Sequence, residues 1–252
     1  MSSRRRSIRR GLIIGSLLLF PVTFYYFSPY VIIAGALAGV AAGSMLLFAL
    51  QFLSGMVLGR AFCGWACPAG GLAECLVLAQ AKPARGRRAN WIRHGLWAVW
   101  LAAVALALVA GGGLRAVEPF FMTEHGVSLA APEAYIVYYL VIGLIVTLSL
   151  LAGRRAFCHY VCWMAPFMIL GARLGRALRA PMLHLAADVT RCSDCQRCNG
   201  ACSMSLDVHS MVRAGKLYDD ECILCGACAD VCPKGVLRLA MRRPPRRARG
   251  VG

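Results

Sequence analysis

Residues 192–202 read CSDCQRCNGAC and residues 222–232 read CILCGACADVC, so that Cys192, Cys195, Cys198 and Cys202 are followed at the same spacing by Cys222, Cys225, Cys228 and Cys232. This is C-x2-C-x2-C-x3-C written twice, the spacing of two-cluster ferredoxins. A cubane of iron and sulfide takes three thiolates from one tight loop and a fourth from a distant residue, and the fourth cysteine of each run crosses to the other cluster. The expected ligand sets for two [4Fe-4S] clusters are therefore Cys192, Cys195, Cys198 with Cys232, and Cys222, Cys225, Cys228 with Cys202. A zinc site stops at four ligands and shows two separated C-x2-C pairs, without a third cysteine two residues further on. The first run ends Cys202-Ser203 where the second keeps Cys232-Pro233; the exchange leaves the ligand set intact and is expected to alter only the local turn.

Working outward, the other 200 or so residues are too apolar for a water-soluble chain: 59% of the 252 residues are hydrophobic and 15% charged. Crossing a hydrocarbon layer takes about 20 helical residues. Four stretches are long enough, Gly11 to Phe27, Val31 to Gly59, Gly95 to Leu114 and Ala134 to Ala152. A net charge of +17 would point a soluble protein to nucleic acid. Here the basic residues collect at the ends of apolar stretches, as the orientation rule for membrane proteins requires, and no nucleic-acid role is expected. Arg4, Arg5, Arg6, Arg9 and Arg10 precede the first stretch, Lys82, Arg85, Arg87, Arg88 and Arg93 join the second to the third, and Arg154 and Arg155 follow the fourth. The link between third and fourth carries only Arg115 against Glu118, Glu124 and Glu133. Both chain ends and the cysteine-rich segment are expected on the cytoplasmic side of the inner membrane. The basic start followed by an apolar run resembles a secretion signal, but no small-x-small site follows it, so cleavage is not expected. Thirteen cysteines on a cytoplasmic face point to metal ligation instead of structural disulfides.

The apolar part repeats itself. Arg60-Ala61-Phe62-Cys63 with Cys67 closes the second stretch, and Arg155-Ala156-Phe157-Cys158 with Cys162 closes the fourth. Each half is a hairpin ending in R-A-F-C-x3-C; a spacing of four puts both sulfurs on one face if the helix continues. Duplicated units usually pack about a local two-fold axis, so Cys63, Cys67, Cys158 and Cys162 are expected to form one redox site. Four thiols suffice for a third iron–sulfur centre, and equally for two disulfides or two dithiols. Proline follows Cys67 at once, whereas after Cys162 it arrives only at Pro166. Trp163 to Arg179 reads as an amphipathic helix with Phe167, Leu170, Leu174 and Leu178 on its apolar stripe, either lying in the headgroup layer or packed on the protein. No haem-attachment or nucleotide-binding motif occurs. His94 and His159 read as structural or interfacial residues, and Cys75 as a small buried apolar one.

With both the paired mouths and the double run in hand, the chain resembles the NapH family of membrane-bound ferredoxins, with related architectures in the carboxyl-terminal half of NosR and in CcoG-type proteins. The resemblance runs from about Gly11 to Leu239. It implies four spans, two [4Fe-4S] clusters on the cytoplasmic side, and transfer of electrons from quinol to a partner redox protein. The missing proline after Cys162 marks a divergent branch. The expected fold is mostly α: a transmembrane four-helix bundle of two pseudo-repeated hairpins over 1–160, an amphipathic interfacial linker helix over 161–183, a ferredoxin-type α+β module over 184–240, and a basic disordered tail over 241–252. Two readings from other classes share these residues: a maturation or regulatory protein using its C-x3-C thiols for metal or thiol chemistry, and a redox sensor.

Overall fold

The computed structural model describes residues 2–84, 90–130, 132–215 and 217–243. Arg85, Arg87 and Arg88 of the basic link, and the tail from 244 onward, lie outside the described residues. Helix α1 (Ser2–Leu18) runs into α2 (Phe20–Thr23) and a 3-10 turn to Phe27. The first expected span is thus not one rod: Arg4–Leu18 and Phe20–Phe27 meet at 61°. Pro21 stands at the start of α2, where its missing N–H costs nothing but cannot continue the preceding ladder.

The second expected span is also corrected. It divides into α3 (Pro29–Ala38), β1 (Val40–Ala42) and α4 (Gly43–Leu58), each helix shorter than a full crossing. Gly39 ends α3 at φ 72°, a left-handed conformation that glycine adopts without steric cost, and the Arg115 guanidinium fills the space a side chain would take there. β1 then pairs in parallel with β2 (Ala116–Glu118). After α4 come α5 (Ala61–Trp65) and α6 (Pro68–Cys75). The remaining expected spans are continuous helices, α7 (Trp91–Ala110) and α8 (Pro132–Ala152), both long and apolar enough to cross a membrane. α9 (Ala156–Tyr160) and α10 (Ala165–Ala177) follow.

The two halves interlock. α10 of the second half packs along α4 of the first, and α6 of the first half packs on α8 of the second. The α10 contact is a seam of small residues, not the leucine stripe read from the sequence. A Cβ at Gly171 or Gly175 would strike the carbonyl oxygen of Phe52 or Met56, and Gly55 lies against Met168. Such seams let apolar helices approach closely enough for dispersion forces to hold them. Phe167 packs inward against Phe48, Trp97 and Trp100, whereas Leu170, Leu174 and Leu178 stay exposed.

The cysteine-rich module is bounded by an antiparallel pair, β3 (Met182–Ala187) with β4 (Leu237–Arg242), in register from Met182↔Arg242 to Ala187↔Leu237. Between the strands lie α11 (Arg197–Ala201), α12 (Val208–Arg213) and α13 (Ala227–Asp230). α12 lies in the connector between the two runs, and Asp207 caps it by accepting from the Ser210 amide. One continuous apolar core joins Ile32, Val104 and Ile145 of the helical part to Leu185, Ile223 and Leu237 of the module. The module is packed onto the helices rather than tethered to them.

Candidate iron–sulfur centres

Each cysteine run curls because left-handed residues alternate along it: Asp194 and Gln196 in the first, Leu224 and Gly226 in the second. Alternation of this kind turns successive amides and thiols toward one point, forming a concave anion-binding nest. Two cavities result. One is lined by Cys192, Cys195 and Cys198 together with Cys232, the other by Cys222, Cys225 and Cys228 together with Cys202. The amides of Leu206 and Val236, each four residues past a run's last cysteine, lie 3.4 Å from the sulfurs of Cys202 and Cys232. Ser203, in the place of the missing proline, sets its hydroxyl 3.8 Å from the Cys225 sulfur, a contact not foreseen from the sequence. Burial pushes the free Cys222 thiol up to about 12, so metal has to displace its proton on binding.

Four sulfurs around one zinc ion, at about 2.3 Å from the metal, would be about 3.8 Å apart. Among the described residues the donor atoms that come together within 4.8 Å in a group of three or more are those of Cys192, Asp194 and His209; neither set of four thiols contracts to mononuclear spacing. Asp194 accepts from His209 at 2.7 Å and is paired with Arg213, and those hydrogen bonds hold its carboxyl below the usual range. Nothing in the cysteine spacing points to this trio.

The paired motifs do not continue as helices. α5 ends at Trp65, and Cys67 is extended, as the residue preceding α6; α9 ends at Tyr160, two residues before Cys162. Proline in the first turn then starts each returning helix, Pro68 in α6 and Pro166 in α10, so the displaced proline of the second half does the same work three residues later. The structure brings the four thiols together. Cys63, Cys67, Cys158 and Cys162 are 4–6% exposed within one core, and Cys67 lies within electrostatic reach of the other three.

Arginines surround them. Arg60 and Arg155, equivalent in the repeat, are fully buried. Arg60 pairs with Glu221 at 2.9 Å, and Arg93 takes the same carboxylate at 2.9 Å through Nη1. Arg155 pairs with Glu74 at 2.9 Å, and Arg9 takes that carboxylate likewise. Burial alone would raise the Glu221 pKa; the Arg93 hydrogen bond and the Arg60 charge overcome it and hold the group at about 2. Read as orientation signals, these arginines were not expected as part of a site; their identical place in the two R-A-F-C copies is the signal that could have found them. His159 is buried beside the Glu221 group, whereas Cys75, expected to be buried, is exposed at the end of α6.

Two contacts tie the paired motifs to their surroundings. Gly64 has no side chain and lets the Ile223 carbonyl and Cys225 approach it, while Trp65 donates to the Leu224 carbonyl at 3.0 Å. On the other side, an almost wholly apolar cavity of about 250 Å³ is lined by Phe20, Phe24, Tyr30 and Trp163 and also by Cys67 and Cys162.

Comparison with known proteins agrees with this anatomy. A 4Fe-4S dicluster domain family matches residues 191–237, and a 4Fe-4S binding domain family matches twice, over 31–85 and 134–181. Fold, cysteine runs and these matches define the class: the chain combines 4Fe-4S domains with apolar helices long enough to cross a membrane, and it is similar to membrane-associated ferredoxin-type proteins. It is homologous to YccM of Escherichia coli, 25% identical over 85% of this chain and 60% of that protein, and to the methylamine utilization ferredoxin-type protein MauN of Methylorubrum extorquens, 27% identical over 81% and 69%. The ferredoxin-type protein NapH of Haemophilus influenzae is 26% identical over 74% and 64%. The chain thus spans 60% of the length of YccM. No solved structure matches.

Proposed function

We propose that the chain carries electrons between the quinone pool of the inner membrane and a partner redox protein. The observation that supports this reading most is the position of the paired motifs. Cys67 and Cys162 line the apolar cavity, while Gly64 and Trp65 touch the Ile223–Cys225 loop. A quinone ring is flat, built largely of carbon and of a size such a cavity can take, and each quinol oxidised there yields two electrons and two protons.

In this reading the module holds two [4Fe-4S] clusters on the crossed sets, Cys192, Cys195, Cys198 with Cys232 and Cys222, Cys225, Cys228 with Cys202. The fit rests on two four-thiol cavities and amides aimed at sulfur, donors that stabilise anionic sulfur. The clusters supply one-electron transfer. Protein groups do the rest: the aromatic wall excludes water, Gly64 keeps the two thiol regions in contact, and Cys195, exposed at the surface, marks the side from which a partner is served. In this reading the chain crosses the bilayer four times, outward through α1 to α3, back through α4, outward through α7 and back through α8, so that β1 and β2 share the outer side while the chain ends and the module are cytoplasmic. Arg5 and Arg6 at the start of α1 pair with Asp230 of the module, so those parts share one side.

The test is anaerobic reduction of the full-length protein in lipid vesicles by a short-chain quinol, followed by EPR. Reduction of the module's clusters by quinol, abolished by serine at Cys67 or Cys162 while dithionite still reduces them, is expected. Dithionite-reducible clusters that no quinol reduces in the wild-type protein would overturn the reading and favour a maturation role.

A further inference from the structure

We infer that Cys63, Cys67, Cys158 and Cys162 hold a third iron–sulfur cluster, and that two repeat-related triads, Arg60–Glu221–Arg93 and Arg155–Glu74–Arg9, are its built-in counter-charge. The inference deepens the proposed electron path and rests on that reading for its purpose, but its own grounds are electrostatic.

The triads carry four guanidinium groups and two carboxylates, +4 − 2 = +2. The side chains of Arg60, Arg93 and Arg155 are 2%, 1% and 0% exposed. Uncompensated charge at such depth is strongly unfavourable, so something in contact with these groups carries about two negative charges. Around Arg60 the candidates are Cys63, Cys158 and Cys162, and around Arg155 they are Cys158 and Cys67 together with Cys225 of the module, which also reaches Arg9. Protonated, or joined in two disulfides, the four thiols of the paired motifs contribute none. Four thiolates around an oxidised [4Fe-4S] or [2Fe-2S] core of charge 2+ contribute 2 − 4 = −2, and the sum closes. Four thiolates on one divalent ion would give the same sum, but the sulfurs are not gathered to mononuclear spacing among the described residues.

Orphaned donors point the same way. Nε and Nη2 of Arg60, Nε of Arg93 and Nε of Arg155 are buried with no acceptor among the described residues. A buried N–H without a partner costs about 1–3 kcal/mol in general, and sulfur of a cluster or its thiolates is the acceptor such donors take up. The guanidinium groups are also fixed against the motifs themselves, and across the halves: Arg155 donates to the Cys63 carbonyl and Arg93 to the Cys158 carbonyl, both at 3.2 Å. Cys63, Cys158 and Cys162 stand within electrostatic reach of Arg60, and Cys158, Cys67 and the module's Cys225 within that of Arg155. The arrangement repeats the symmetry of the R-A-F-C copies, so the charge is spread over both sides of the thiol site.

The experiment uses the full chain, reconstituted with iron and sulfide and purified anaerobically in detergent. Iron and acid-labile sulfide are counted, and an EPR-monitored redox titration is run on wild type, Cys63→Ser, Arg155→Gln and Arg155→Lys. Wild type is expected to hold about twelve iron atoms for a cubane, or about ten for a two-iron cluster, with a third titrating signal. About eight, with only two signals, overturns the inference. Cys63→Ser is expected to lose that third signal alone. Arg155→Gln removes one positive charge, so the third signal moves to lower potential, by more than the signal of the cluster assigned to Cys225, and Arg155→Lys restores most of the shift. Third-signal potentials unchanged in Arg155→Gln overturn the counter-charge. A third cluster that dithionite but not quinol reduces sinks the proposed function and leaves this inference standing; quinol-driven reduction of a protein with about eight iron atoms does the reverse.

Discussion

The two thiol regions solve one electrostatic problem by different means. In the cysteine-rich module the thiols sit in short loops, Cys195 reaches the surface, and anionic sulfur is met by nearby amides such as those of Leu206 and Val236. At the paired motifs all four thiols are buried, and the positive groups facing them are arginine side chains drawn from α1, α7 and the ends of α4 and α8. Backbone dipoles come with the loop that carries the cysteines, so the first solution is local. Side-chain charge has to be delivered from far along the chain and neutralised in part by Glu74 and Glu221. What is gained is a site deep beside an apolar cavity, where exposed loops with unpaired amides would be costly.

Four experiments break or sharpen that contrast. The largest effect is expected from Cys202→Ala, which should eliminate the EPR signal of the cluster assigned to Cys222, Cys225 and Cys228 and spare the one assigned to the adjacent Cys192 run; loss of the Cys192 signal alone would reverse the crossed assignment. Next comes Glu221→Gln. Removing the shared carboxylate leaves Arg60 and Arg93 unpaired, with an expected loss of about 3–5 kcal/mol, read as a lowered unfolding midpoint in detergent. The matching Glu74→Gln change should cost less, because that side chain is 26% exposed against 7% for Glu221. Third, Gly64→Ala puts a Cβ against the Ile223 carbonyl; overpacking of about 1–3 kcal/mol should part the two regions, slowing transfer between them in stopped-flow reduction with iron content unchanged. The smallest is Ser203→Ala. Loss of one hydrogen bond to sulfur, worth about 0.5–1.5 kcal/mol, should lower the potential of one module cluster by about 20–60 mV; proline at the same position should do likewise if the hydroxyl alone matters.

The module was legible because its information is local. Both cysteine runs and the pairing of each run with the other's last cysteine in one cavity follow from spacing within 41 residues, 192 to 232. The repeat was legible as well, since Arg60-Ala61-Phe62-Cys63 and Arg155-Ala156-Phe157-Cys158 share four letters. The path of the apolar chain was not. Gly39 turns the chain inside the run from Val31 to Gly59 without any polar residue to mark it, because glycine is ordinary in apolar helices and the turn depends on Arg115 and β2, more than 70 residues away. Hydrophobicity likewise favoured the leucines of α10 over its glycines, although close approach is what the α4 seam requires. Arginines near helix ends carry an orientation signal whatever they touch, which hid their pairing with Glu74 and Glu221.

One feature at the beginning of the chain has a consequence for how the protein is made. Arg5 grips Asp230 and the Gly226 carbonyl, partners 225 and 221 residues later. On a ribosome, α1 therefore emerges long before its partner exists. Arg5 and Arg6 have no claim on Asp230 until the second cysteine run has been made and α13 has formed within it. The contact between α1 and the module is thus a late step of assembly, although one of its two sides is made more than 200 residues earlier.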